Sequence, residues 1–194
     1  MIKIAIFASG SGSNFKSIVD ATRSGSLHAE VSLLVCDKRN ALVIDRAYRE
    51  GIPVLVFDPK EYETKTAYEE VILKALNEHQ VEFIVLAGYM RLLGSVLLNT
   101  FQSRIVNIHP SLLPAFPGKD AIGQAFEAGV KVTGVTVHYV DEGMDTGPII
   151  AQSAVSVLKG DDRVSLQARI QETEHKLYPN VLQELFESLK ITNY

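Results

Sequence analysis

A chain of 194 residues that is 46% hydrophobic is long enough to bury one sizeable core, so a single domain over residues 1–194 is expected. Its formal net charge of −4, from 19 basic and 23 acidic residues interspersed, argues against a sequence-independent grip on nucleic acid or on an anionic membrane surface. The single cysteine, Cys36, allows neither an internal disulfide nor a zinc spacing, which suits a reducing cytoplasm, and no apolar run reaches the roughly 20 residues of a membrane-spanning helix.

In chain order, IKIAIFA (2–8) reads as a strand buried on both faces. ASGSGSNF then leads into a helix over 14–23, with Ser13 or Asn14 as its cap. A Gly/Ser-rich turn feeding a helix N-terminus makes a cradle for an anion. Gly10 and Gly12 let the backbone approach a phosphate, while Ser11, Ser13 and Asn14 add donors, so a phosphorylated small molecule is the natural guest. A turn serving only tight packing is the plainer alternative. The pattern Gly-x-x-x-x-Gly-Lys-Ser/Thr is absent, and Gly-x-Gly-x-x-Gly fails because Phe15 stands in place of its third glycine. Asp37, following the second strand where a dinucleotide reader places an acid, keeps a nicotinamide-dependent dehydrogenase as a rival reading.

Further strands are expected at 31–36, 54–57, 83–88 and 104–108, alternating with helices at 41–50, 66–78 and 92–99. This alternation means parallel pairing with right-handed crossovers, a Rossmann-like N-terminal half. After a proline-rich loop come a short helix at 121–128 ended by Gly129, and strands at 132–140 and 148–157 around the polar loop DEGMDTG. The last two strands should pair antiparallel. A final amphipathic helix starts near Asp161 or Asp162, carries Val164, Ile170, Leu177, Val181, Leu185 and Leu189, and is expected to bend at Pro179. The fold class is α/β: a three-layer, open, mostly parallel sheet with an antiparallel extension in its C-terminal half.

The chemistry concentrates in NIHPSLLPAFPG (107–118). Asn107 and His109 are two residues apart on a strand that Pro110 ends, so they point the same way at its carboxyl end. Pro114 and Pro117 stiffen the following loop, and Gly118 supplies a joint. Asp145, between Gly143 and Gly147, is the carboxylate most readily delivered there. A carboxamide, an imidazole and a carboxylate suit addition to a carbonyl: the first two stabilise developing negative charge, and the third organises proton movement. Singly, each has a bland role as loop cap, core histidine or turn acid. Ser111 lacks a nucleophile elbow, so direct transfer between two bound substrates is the simpler chemistry. His28, His79, His138 and His175 show no ligand spacing, and no metal is expected.

Taken together, NIHPSLLPAFPG, Asp145 in DEGMDTGP, AGYMRLL at 87–93 and the SGSGSNF loop resemble the folate-dependent formyltransferase family, from the first strand to the helix with Glu174 and His175. The resemblance implies that Asn107, His109 and Asp145 form the catalytic group, with His109 as imidazolium. It implies 10-formyltetrahydrofolate as co-substrate, its pterin against Met90, Arg91, Leu92, Leu93 and the 140–145 loop including Asp141. The acceptor would be the amine of glycinamide ribonucleotide, its phosphate on Gly12, Ser13 and Asn14 and its ribose hydroxyls on Glu174. The implied partners are small molecules, with neither nucleic acid nor membrane, and the chain a monomer or homodimer. Rival relatives act on tRNA-bound methionine or hydrolyse formyl-folate, and each is expected to need a further domain. Where some relatives carry an arginine near the folate pocket, Lys65 stands here without an assigned role.

Overall fold

The apolar runs become the middle of a seven-stranded sheet in a computed structural model that describes residues 1–191; residues 192–194 of the expected 1–194 domain lie outside the described residues. The elements are β1 (Ile2–Ala8), α1 (Ser13–Ser24), β2 (Ala29–Cys36), α2 (Leu42–Arg49), β3 (Val54–Val56), α3 (Lys65–Glu78), β4 (Phe83–Leu86), α4 (Ser95–Thr100), β5 (Ile105–His109), α5 (Ala121–Glu127), β6 (Val132–Tyr139), β7 (Ile149–Ser156) and α6 (Arg163–Ile191). The strand order is β3-β2-β1-β4-β5-β6-β7, parallel through β5 and antiparallel at β6 and β7, as expected.

β1 shows why its run carries no polar alternation. Ile4, Ile6 and Ala8 face one core, with Phe15, Val43 and Tyr178 from α1, α2 and α6, whereas Ala5 and Phe7 face a second core with Ile72 of α3 and Leu97 of α4. Successive side chains of a strand point to opposite faces, and here both faces are covered by helices. The chain runs outward from β1 to β2 and β3, then crosses back to β4 on β1's other side. The loops leaving β1 and β4 therefore diverge, and a crevice opens between them at the carboxyl ends of the strands.

Several expected boundaries move for local reasons. α1 has no side-chain cap; Gly12, at φ 74°, takes the N-cap position expected of Ser13 or Asn14. β2 begins two residues early, at Ala29, which pairs with Ile2. α4 starts at Ser95 rather than Leu92, because extended Gly94 precedes it and its N–H donates to the buried Glu69 carboxylate at 2.5 Å. Burial pushes the Glu69 carboxyl up, opposed by that backbone hydrogen bond. α6 starts one residue after Asp162, whose carboxylate accepts from Ser165 N at 2.8 Å while Ser165 Oγ accepts from Asp162 N at 3.0 Å, a reciprocal cap. The helix is continuous through Pro179: Tyr178, Val181 and Leu182 are buried and hold the turn in which the proline can offer no N–H. Among the described residues, no helix is long and apolar enough to cross a membrane.

Candidate active site

A cavity of about 650 Å³ fills the crevice, lined by the loop after β1, the loop after β4, the end of β5 and the segment around Asp145. That volume suits a small-molecule ligand. At one end lies the glycine loop. Without a capping side chain, the first-turn N–H groups of the 12-residue α1 remain open to an anion, and Gly10 to Asn14 all line the cavity. Val43 N donates to Gly10 O at 3.1 Å and Arg46 Nε to Ser11 O at 2.8 Å, so α2 braces the loop from behind. Packing by itself also requires Gly12: a Cβ there would lie 2.5 Å from Val43 Cγ2, whereas one at Gly10 would meet nothing within 4 Å. Asn14 does more than frame this loop. Its Nδ2 donates to Glu174 Oε2 at 3.1 Å across from α6, leaving its buried Oδ1 without a partner.

Deeper in, β5 ends as the spacing implied, with Asn107 half-buried and His109 buried. His109 Nε2 lies 2.9 Å from Phe116 O, and its Nδ1 lies 3.4 Å from Asp145 Oδ2. Both neighbours are acceptors, so a ring carrying both protons satisfies both sides. Gly118 N donates to the same Asp145 oxygen at 2.7 Å. Phe116 and Asp145 both sit in the left-handed region, at φ 55° and 57°, a conformation that costs a non-glycine residue about 1 kcal/mol or more and is held where geometry matters. The loop around Asp145 folds back so closely that any Cβ on Gly147 would overlap Tyr139 O.

A fourth side chain joins these three. His138, on β6 directly opposite Asn107, was absent from the sequence-based set. Its Nδ1 lies 2.7 Å from Tyr139 O and donates to it, so Nε2 is left as an acceptor for Asn107 Nδ2 at 3.2 Å. Asp145 Oδ1 is 3.7 Å from the same nitrogen. Burial pushes the His138 imidazole down, more than the Tyr139 carbonyl and Asp145 pull it up, which keeps it neutral and able to accept. The Asn107 amide is thereby oriented with one of its two Nδ2 hydrogens used and the other available to a reacting oxygen.

The proline-rich loop is held by Thr136, the fully buried β6 neighbour of His109. Its hydroxyl donates to Ser111 O at 2.7 Å and accepts from Leu113 N at 3.0 Å and Gln152 Nε2 at 2.9 Å. Thr136→Val, nearly equal in volume, strands two donors and one acceptor. It is expected to cost about 2–4 kcal/mol in chemical denaturation and to slow turnover by loosening Phe116 and Gly118; a loss below about 1 kcal/mol would contradict the role given to this hydroxyl.

Toward the mouth, Met90 and Leu92 are exposed and line the cavity with Met144 as an apolar surface, and Leu93, buried against the second core, borders the cavity as well. Arg91 also lines the mouth, but its Nε is committed to Asp37 Oδ2 at 2.7 Å. Asp141 turns on its own loop, accepting from Gly143 N at 3.0 Å and Thr146 Oγ1 at 2.7 Å. Lys65, first residue of α3, does not line the cavity and lies beside Glu69, whose carboxyl its charge lowers. Asp37 is buried between Arg91 and Ser9, which removes the free acid a dinucleotide reader needs and with it the support for the dehydrogenase reading.

Residues 2–182 match the formyl transferase family. The chain is 56% identical over 185 residues to the phosphoribosylglycinamide formyltransferase of Bacillus subtilis (strain 168), an alignment covering 95% of each chain. It is 39% identical over 181 residues to the trifunctional purine biosynthetic protein adenosine-3 of Homo sapiens, covering 93% of this chain and 18% of that one. In three dimensions it is similar to glycinamide ribonucleotide transformylase 1 from Geobacillus kaustophilus, with a TM-score of 0.93, 59% identity, and 95% and 98% of the two chains covered. The phosphoribosylglycinamide formyltransferase of Bacillus halodurans gives a TM-score of 0.92 at 56% identity, over 94% of both chains.

Proposed function

Because the chain belongs to the formyl transferase family, we propose that its cavity joins 10-formyltetrahydrofolate to N1-(5-phospho-D-ribosyl)glycinamide and moves the formyl group onto the glycinamide amine. The enzyme is a phosphoribosylglycinamide formyltransferase of de novo purine (IMP) biosynthesis, releasing the N2-formyl product and tetrahydrofolate. The observation that carries the reading is the placement of Asn107, His109 and Asp145 between an anion cradle and an apolar mouth within one cavity.

In this reading Gly12, Ser13 and Asn14 hold the phosphate, and Glu174 accepts from the ribose hydroxyls. Met90, Leu92 and Leu93, with backbone groups of Arg91 and the loop of Asp141, hold the pterin. The acceptor amine attacks the formyl carbon; Asn107 donates its free Nδ2 hydrogen to the oxygen as it becomes negative, and His109 turns to that oxygen the Nε2 proton that otherwise faces the Phe116 carbonyl. Asp145 keeps His109 in place and, through water, relays the proton the amine loses to the folate nitrogen as the bond between that nitrogen and the formyl carbon breaks. Binding both substrates at once supplies the entropy advantage of an intramolecular reaction without a covalent enzyme intermediate. The reading takes residues 1–194 as one domain in a cytoplasmic setting, which suits the free, buried Cys36.

Glu174 sets a pH dependence. Burial pushes its carboxyl up to about 7 from the ordinary 4.5, against the Asn14 hydrogen bond that lowers it. A carboxyl raised by folding stabilises the fold in its protonated form, fully below its unfolded pKa, and that contribution is lost as pH rises through about 7. The loss is at most about 3 kcal/mol. Glu174→Gln should therefore gain stability relative to the parent between pH 5 and pH 8, as followed by denaturant titration. Because the ionised carboxylate is the better acceptor for ribose hydroxyls, the acceptor's KM should fall across the same window in the parent and stay flat in the variant. A parallel pH profile in both proteins would remove Glu174 from this role.

The function itself is tested by offering 10-formyltetrahydrofolate with glycinamide ribonucleotide, with tRNA-bound methionine, or with water alone. Consumption of the first acceptor only is expected. Turnover with either of the others as the faster reaction would reassign the enzyme within its family.

A further inference from the structure

Ser9 and Asp37 lie outside the catalytic group, yet they hold one wall of the cavity. Both are buried, at 3% and 5% exposure, where polar side chains must find partners. Ser9 Oγ accepts from Met90 N at 2.9 Å and gives its single proton to Asp37 Oδ1 at 2.5 Å. Asp37 Oδ2 accepts from Arg91 Nε at 2.7 Å. The polarity of this relay is fixed, because a backbone N–H and a guanidinium can only donate and an ionised carboxylate can only accept. Ser9 N also donates to Gly88 O at 3.1 Å, so the segment after β4 is tied to the end of β1 at consecutive points.

We propose that Asp37, acting through Ser9 and Arg91, is a positioning residue for the formyl donor, setting the placement of the Met90–Leu93 segment against which the pterin lies. This rests on the reading of that segment as the donor's site. The glycine loop follows Ser9 directly, but it has braces of its own in the Val43 N and Arg46 Nε hydrogen bonds. Losing Asp37 therefore releases the donor wall and leaves the acceptor cradle in place. Charge-assisted hydrogen bonds are the stronger kind, so one buried carboxylate can hold this wall within the tolerance binding requires.

Asp37→Asn keeps the shape and one acceptor oxygen, so that either Ser9 or Arg91 loses its partner; Ser9→Ala removes the relay by a smaller change, in case the first variant folds poorly. In both, the KM for 10-formyltetrahydrofolate is expected to rise about tenfold, with kcat at saturating donor and the KM for glycinamide ribonucleotide within about twofold, the pattern of lost uniform binding. Calorimetric titration with tetrahydrofolate and with ribose 5-phosphate reads the same split without turnover: the folate should bind about tenfold more weakly and the phosphate unchanged. Folate affinity unchanged in both folded variants, or both ligands weakened alike, overturns the proposal. A parent enzyme that transfers no formyl group yet shows the split would instead defeat the functional reading alone.

Discussion

His109→Ala is expected to lower kcat by about 10²–10³ while the KM values for both substrates stay within a few-fold. The imidazole lies between the Phe116 carbonyl at 2.9 Å and the Asp145 carboxylate at 3.4 Å, contacts that aim the ring and bind neither substrate. Removing it deletes a donor used mainly as the carbonyl oxygen becomes an oxyanion, and donors of that kind are worth about 3–4 kcal/mol in the barrier. The anion cradle and the apolar mouth lie on other loops, so ground-state binding is spared. A variant that turns over within fivefold of the parent would show that the imidazole is a buried core residue and no more.

The second large effect is expected at Asp145, and Asn is the informative replacement. Asp145 sits at φ 57°, a conformation asparagine tolerates well, and an amide oxygen can still accept from Gly118 N, so the loop should keep its path. What is lost is the negative charge between His109 Nδ1 and His138 Nε2. Without it the charged partner that holds the His109 ring is gone and the amine's proton has no carboxylate to relay it. A loss on the order of 10³ in kcat is expected, by analogy with other carboxylates that orient a catalytic imidazole. Thermal melting should stay within a few degrees of the parent. If kcat falls only in proportion to a loss of folded protein, Asp145 is a loop residue without a part in the chemistry.

Much of this site was legible in the sequence because its signals are local. Pro110 ends β5 immediately after His109, so the i, i+2 relation of Asn107 and His109 at a strand end followed from chain order alone. The glycines before α1 marked the anion cradle in the same way. Long-range features were less accessible. Chain order gives His138 no ligand spacing, and its place opposite Asn107 depends on the antiparallel β5–β6 register. Knowing that VTVHY pairs with VNIH would have found it. Asp37 read as a dinucleotide acid because its partners, Ser9 and Arg91, stand 28 residues before it and 54 after it. At Gly12 the sequence suggests ligand approach, and the packing adds a second demand, since its Cβ direction is blocked by Val43 of α2. The start of α4 depended on Glu69, a buried carboxylate from a helix 25 residues upstream that claims the N–H of Gly94.

The most direct measurement is a rapid-quench single turnover with 10-formyltetrahydrofolate carrying a radiolabelled formyl group. Enzyme and labelled donor are mixed first without acceptor, then with glycinamide ribonucleotide, and the protein is precipitated at each time. Label is expected to pass to the ribonucleotide amine in one kinetic phase, with none retained on the protein. Stoichiometric label on the protein before the acceptor is added, discharged when it arrives, would mean that a nucleophile of the chain carries the formyl group and that direct transfer is wrong.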